Sequence, residues 1–257
     1  MIGADHDARI AAMFDRIAAR YDFLNRVLSF GTDLWWRRRA VALARLRRGE
    51  RVVDVGAGTG DLSFALLAAS QPTARVVGVD ISAGMLAVSV RRARSLRAGR
   101  RYTPVIASAE ALPLADASVD RIVSGFTIRN VGDLPRSLAE FRRVLRPRGR
   151  AVILELSHPS PPVFARLYRA YFERIAPRLA VALGGDATAY GYLPRSLRPF
   201  PRADALAALM RDARFSRVRY ERLTLGIAAI HVGEVGEREA TGPSDPGTSA
   251  RTGHGGT

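Results

Sequence analysis

Residues 52–63 read VVDVGAGTGDLS, and SFALLAAS completes the passage to residue 70. A short apolar run that ends in glycine has the character of a strand buried on both faces. The apolar residues that follow make a helix, so the glycines occupy a tight strand-to-helix turn. Glycine there lets the backbone come close to a ligand. Gly56, Gly58 and Gly60 form G-x-G-x-G, not the G-x-G-x-x-G of a dinucleotide loop, and no Lys-Ser/Thr follows to make a phosphate cradle. Asp54 lies two residues before the first glycine. A carboxylate beneath the loop suits a cationic ligand and repels a pyrophosphate.

Outward from this unit the chain keeps alternating. ARVVGVD, RYTPVIAS, DRIVSGFTI and RAVILELS read as strands; AGMLAVSVRRARSLR and LPRSLAEFRRVL read as helices. Such alternation with apolar strands predicts an α/β fold with a parallel sheet covered on both faces. After a last helix, ADALAALMRDARF, the segments SRVRYERLT and GIAAIHVGEV predict an antiparallel hairpin at one sheet edge. Residues 1–48 carry Ile10, Phe14, Ile17, Tyr21, Leu24 and Leu28 at helical spacing and predict a helical lid. The main domain is expected over 49–235, with a helical cap inserted at about 157–201. Residues 236–257, rich in Gly, Ser, Thr and Pro, predict a disordered tail.

The 257 residues carry a net charge of +16, and all 40 basic residues are arginine. The arginines are dispersed and not interleaved with aromatics, which disfavours a nucleic-acid platform. Attraction to anionic lipid headgroups accounts for the charge equally well. The chain has no cysteine, and its four histidines lack metal-ligand spacing, so no metal is expected. With no long apolar run and no signal-like N-terminus, a cytoplasmic protein is expected, peripheral to the inner face of the cell membrane if it docks there.

Two further elements fall at strand ends, where open α/β sheets hold ligands. Asp80 ends the second strand and suits a pair of ribose hydroxyls, although Asp80 or Ser82 could equally cap the next helix. Ser108 and Ala109 end the third strand, where an adenine edge needs a polar contact. With the glycine loop, this pattern resembles class I S-adenosylmethionine-dependent methyltransferases, a Rossmann-like fold of seven strands. The resemblance extends further. RYDFLN, GAGTGD, IRNV, GYLPRS and the segments between them are similar, over about residues 10–235, to the ubiquinone/menaquinone biosynthesis C-methyltransferases. The resemblance implies S-adenosylmethionine as methyl donor and a polyprenylated quinol as substrate, most naturally demethylmenaquinol. It carries the donor contacts over to Thr59, Asp80, Ser108, Ala109 and Gly125. With Asp54, Gly56, Gly58, Gly60, Ile81 and Met85 these make the expected donor site. This chain departs in having Ser108 for a usual Asn, Gly125 for a common Ser, His158 for a frequent Lys, and RPRG at 146–149 for a usual Lys-Pro-Gly-Gly, where Arg148 must avoid positive φ or accept strain.

Carbon methylation needs an electron-rich ring, so the site must stabilise an oxyanion and accept a ring proton. Arg129 is the candidate stabiliser, being always charged with fixed donors. A structural salt bridge is its alternative role. Asn130 and Tyr21 are candidates for orienting a quinol oxygen or a water. His158 is a candidate base by its ordinary pKa, with Tyr192 or water as rivals. Phe164, Leu167, Tyr168, Tyr171, Phe172, Ile175 and Leu179 offer an apolar lining for a prenyl tail, or simply cap packing. Trp35-Trp36, followed by three arginines, fits an interfacial anchor or a buried pair. A homodimer is compatible with all of this. The alternatives are methylation of the ubiquinone precursor or another small aromatic, an RNA methylase or RNA-binding protein, and a donor-binding regulator.

Overall fold

A computed structural model describes residues 2–70 and 73–237. The expected tail therefore lies, from residue 238 on, outside the described residues. Strand β1 (Arg51–Val55) pairs in parallel with β2 (Arg75–Asp80) on one side and β4 (Val119–Gly125) on the other. Beyond β2 lies β3 (Tyr102–Ile106), and beyond β4 lies β5 (Leu145–Leu156), both parallel. The hairpin is formed by β6 (Arg217–Leu223) and β7 (Ala228–Glu234). Of the two, β7 pairs antiparallel with β5, giving the order β3-β2-β1-β4-β5-β7-β6. The predicted mostly parallel seven-stranded sheet with an antiparallel C-terminal hairpin is thus present. Its order reverses between β1 and β4, and the glycine loop leaves β1 at that switch point.

Helices α4 (Asp61–Ala69), α5 (Ala83–Ser95), α6 (Leu134–Val144) and α10 (Ala203–Asp212) connect the strands. Ser82 caps α5 by accepting from Met85 N–H at 3.0 Å, and Asp133 caps α6 from Arg136 N–H at 2.9 Å. The Ser82 cap leaves Asp80 available to the site. Leu66, Ile122, Leu138, Phe141, Ile153 and Met210 are fully buried around the sheet.

The N-terminal segment comprises α1 (Ile2–Ile17), α2 (Tyr21–Leu28) and α3 (Thr32–Ala44). Trp36, Ala40, Val41 and Ala44 of α3 belong to the main core. In contrast, Ile10, Met13, Ile17 and Leu24 form a second cluster with Met85 of α5 and with Ala180 and Ala189 of the insert. The insert holds α7 (Pro162–Ala170), α8 (Ala176–Ala182) and α9 (Ala187–Leu197). A π-helical stretch, Tyr171–Ile175, joins α7 to α8. Pro177 has no N–H to continue the α ladder, which accounts for the shifted hydrogen bonding. No described helix is long and apolar enough to cross a membrane.

One local expectation changes and two open ones are decided. The fourth strand stops at Gly125 instead of running through Ile128, because Phe126 turns to φ 60° and breaks the ladder. Arg148 accepts the left-handed conformation at φ 63°, with its N–H on Val235 O at 3.1 Å. The two tryptophans part company: Trp36 is buried and donates to Thr224 Oγ1 at 2.9 Å, while Trp35 is half exposed.

Candidate functional site

The glycine loop takes the shape its sequence demands. Gly56, Gly58 and Gly60 all have positive φ, at 73°, 54° and 89°, which a side chain would make costly. A Cβ on Gly56 would collide with Thr127, and one on Gly60 with the Phe64 ring. A Cβ on Gly58 would meet nothing and would fill the space above the loop. Gly60 serves the turn into α4 and does not line that space.

Beneath the loop, Asp54 is buried and accepts from Ser63 Oγ at 2.6 Å through Oδ2, while its Oδ1 has no partner. Burial, with repulsion from Asp80 adding to it, drives its carboxyl up from 3.8 to about 7, against the opposing Ser63 hydrogen bond. Asp80 accepts from Gly58 N–H and Ser82 N–H, both at 2.8 Å, and burial raises its pKa. Each carboxylate oxygen keeps a second lone-pair site for a ligand hydroxyl.

The N-terminal helices are tied to this loop by carboxylates. Thr59 Oγ1 donates to Asp22 Oδ1 at 2.7 Å. Arg92 ties the pair together, reaching Asp22 at 3.0 Å and Asp61 at 2.7 Å. Asp15 of α1 accepts from Ser82 Oγ at 2.6 Å and Gly84 N–H at 2.8 Å. His6 donates from Nε2 to the Asn130 carbonyl at 2.8 Å.

Two cavities adjoin beside the N-terminal helices. The polar one, about 870 Å³, is lined by Asp54, Gly56, Gly58, Thr59, Asp80, Ile81, Met85, Ser108, Ala109, Gly125 and Asn130, among others. The apolar one, about 1260 Å³ counted out to its open mouth, is lined by Phe30, Phe164, Leu167, Tyr168, Tyr171 and Phe172, with Arg129 and Asp33 in its wall. Tyr21, Arg37 and Phe126 line both. Their shared wall is where a small group could pass from one occupant to the other.

Arg129 and Asn130, adjacent in sequence, serve different cavities. A 3-10 turn, Ile128–Asn130, follows β4 and separates them. The Arg129 side chain is 4% exposed, and its Nη1 donates to Glu155 Oε1 at 2.6 Å and Phe126 O at 2.7 Å. Its Nε is buried with no partner. Burial opposes the guanidinium charge, but Glu155 and Tyr21 outweigh it and hold the pKa above the usual arginine value. Asn130 Oδ1 is likewise buried and unpartnered. Burial raises the Tyr21 hydroxyl pKa, against the pull of Arg129 and Arg37, so it stays a donor at neutral pH. The structure does not bring His158 to the group. It lines neither cavity, and its Nε2–H donates to Phe200 O at 3.0 Å.

Several site residues gave no sequence signal. Arg37 bonds Asp33 at 2.6 Å and stacks 5.0 Å over Phe126. In the sequence it was one arginine among three, and only the α3 packing directs it inward. Glu155 read as an ordinary strand residue. Phe126 read as strand core, and its positive φ was not legible.

The comparisons with known proteins bear on this geometry. The ubiE/COQ5 methyltransferase family model matches residues 3–235. The chain belongs to that family. It is 47% identical over 222 residues to "Demethylmenaquinone methyltransferase" of Thermus thermophilus, covering 86% of this chain and 99% of the relative. It is 44% identical over 228 residues to "Ubiquinone/menaquinone biosynthesis C-methyltransferase UbiE" of Geobacter sulfurreducens, covering 89% of each. A solved S-adenosylmethionine-dependent methyltransferase from Thermotoga maritima shares the fold at TM-score 0.63 and 22% identity, over 87% of this chain and 98% of that one.

This protein is thus a methyltransferase that uses S-adenosylmethionine, and the polar cavity suits that donor. The unpartnered Asp54 oxygen matches a cationic amino group, the open space at Gly58 matches a close-lying ligand, and Asp80 can take ribose hydroxyls. Asp54, Gly58, Thr59, Asp80 and the Ser108-Ala109 edge would hold it. Gly125 offers backbone only; a Cβ there would sit 3.2 Å from Leu62.

Proposed function

We propose that the reaction is C-methylation of a polyprenylated quinol, demethylmenaquinol to menaquinol, at the wall shared by the two cavities. The carrying observation is that wall. Tyr21, Arg37 and Phe126 face both a polar cavity suited to the donor and an apolar cavity suited to a prenylated ring. Names of relatives at 41–47% identity agree with a quinone substrate.

S-adenosylmethionine supplies an electrophilic methyl, and the chain's task is alignment and charge control. Arg129 presents its unpartnered Nε–H to the quinol oxygen as negative charge develops on it. An orphaned buried donor is costly until something accepts from it, about 1–3 kcal/mol, so the site binds most tightly the state with most charge on that oxygen. Tyr21 donates to a quinol oxygen from the lid side. Asn130, facing the donor cavity, orients the donor or an ordered water. The ring carbon would take the methyl as the donor's sulfur keeps the bonding pair, and would then lose its proton and regain aromaticity. Asp33 is the one carboxylate among the residues lining the apolar cavity, and it replaces His158 in our reading as the proton acceptor. The lid and the insert act as one cover over both cavities, and the enzyme works at the cytoplasmic membrane surface where its substrate resides.

The test is methyl transfer to a short-chain demethylmenaquinol, with one methyl added to the ring as the expected product. Turnover only on the ubiquinone precursor would move the substrate within the family. Donor binding without turnover on any quinol would sink the quinol reading and favour another small aromatic.

A further inference from the structure

We infer that the mouth of the apolar cavity is a docking face for an anionic lipid bilayer, which delivers the substrate from the membrane directly into the site. This rests on the quinol reading only for what passes through the mouth. The face itself stands on its own observations.

Two turns at the mouth place a large apolar residue in the left-handed region, the second after Thr224, itself at φ 47°. Phe30 and Leu225 have φ 52° and 56°, and each is followed by a glycine that is also at positive φ, Gly31 at 74° and Gly226 at 93°. Paired positive-φ positions usually read Asn-Gly or Asp-Gly, because the first residue needs a side chain that tolerates the left-handed region. Here the chain spells Phe-Gly and Leu-Gly. Both side chains then point into solvent, Phe30 at 78% exposure and Leu225 at 60%. Both turns spend backbone strain to hold an apolar side chain in water, a cost that burial in an apolar phase would offset.

The two turns belong to one rim. Phe30 lines the cavity and lies 5.7 Å from the Tyr171 ring. Leu225 accepts from Ser160 N–H at 3.2 Å through its carbonyl, and Ile227, two residues on, lines the cavity. Three residues beyond Ser160, Val163 begins an exposed apolar pair with Leu167, one turn apart on α7, at 69% and 67% exposure.

Charge decides the partner. Arg166, Arg169, Arg174 and Arg178 are exposed along the same helical run. Glu173, the one carboxylate between residues 161 and 180, is already paired with Arg198 at 2.9 Å. A second copy docking by this face would set arginine against arginine. A bilayer with anionic headgroups neutralises the arginines and buries the apolar tips between its chains.

Flotation of the full chain with vesicles tests the face. Wild-type protein is expected to float with phosphatidylcholine–phosphatidylglycerol vesicles, to release at high salt, and to stay behind with pure phosphatidylcholine. The triple variant Val163→Ser/Arg166→Gln/Leu225→Asn removes two apolar tips and one charge without touching a cavity-lining residue. Asparagine suits the left-handed position, so the melting temperature should hold. Partition to the anionic vesicles should fall at least about tenfold, from the loss of one headgroup-paired arginine together with two apolar tips. Turnover of a short-chain quinol in solution should stay within about twofold, while turnover of a long-chain quinol held in vesicles should fall with partition. Wild-type protein that ignores anionic vesicles would overturn the proposal, as would a variant that partitions like wild type. So would a concentration-dependent dimer that the variant abolishes, which would give the face to a second copy. If neither protein methylates any quinol but vesicle binding behaves as expected, the docking face holds and the substrate reading fails.

Discussion

Asp54 combines a buried carboxylate lining the donor cavity, one hydrogen bond from Ser63 and one oxygen without a partner. Its pKa of about 7 means that a cationic donor must bind the ionised form. Donor affinity measured by calorimetry should therefore rise from pH 6 to pH 8 and level off above. Asp54→Asn should remove that rise and weaken binding at pH 8 by roughly ten- to hundredfold, the ~1.5–3 kcal/mol of a charged hydrogen bond. An unchanged pH profile would remove Asp54 from the site. Arg129 makes a second residue-scale claim. If its Nε–H meets the developing oxyanion, Arg129→Lys should lower kcat by ~10²–10³ with little change in donor Kd. A loss within about threefold would leave it as the structural partner of Glu155, to which it bonds at 2.6 Å.

Between elements, the N-terminal helices are held by polar as well as apolar contacts. Asp15 of α1 accepts both the Ser82 hydroxyl and the Gly84 N–H at the start of α5. Asp15→Ala should cost about 1–2 kcal/mol in urea unfolding, the scale of a lost cap and hydrogen bond. Amide exchange should quicken in α1 and stay unchanged in β1, β4 and β5. Equal acceleration everywhere would show that lid and sheet open together. The strands and most helices were legible because each carries its own pattern: β1 is a valine run broken only by Asp54, and α5 starts at a serine cap. The end of β4 was not legible. A strand that stops at Phe126 looks, by side chain, like one that continues, and only the left-handed backbone at Phe126 ends it.

Across the whole molecule, two buried groups couple stability to pH in opposite senses. Asp54 in the folded chain keeps its proton up to about 7, whereas an unfolded aspartate loses it near its ordinary 3.8. Unfolding in that window releases a proton, so this group's contribution falls as pH rises from 3.8 to 7. Burial lowers His231 to about 4 from 6.5, against its bond to the Ala203 carbonyl. Unfolding between those values takes up a proton, so its contribution rises with pH from 4 to 6.5. Each is on the order of 3 kcal/mol. Asp54→Asn should therefore make stability climb more steeply between pH 4.5 and 6.5 than in wild type, as read by urea unfolding. Parallel curves for the two proteins would contradict the buried-carboxyl assignment.

By itself the sequence determined the α/β alternation, the glycine turn with Asp54 beneath it, and the family. These depend on short-range rules: strand and helix period, the φ that glycine tolerates, and blocks of adjacent residues such as IRNV. Only the tertiary structure decided which polar residues act together. Tyr21, Arg37 and Phe126 come from α2, α3 and the turn after β4 to form one wall. Arg129 and its neighbour Asn130 were parted to separate cavities, and His158 was turned away to Phe200. No periodicity links such positions. Their meeting follows from how the lid and the insert pack across the sheet, a long-range outcome that local patterns do not encode.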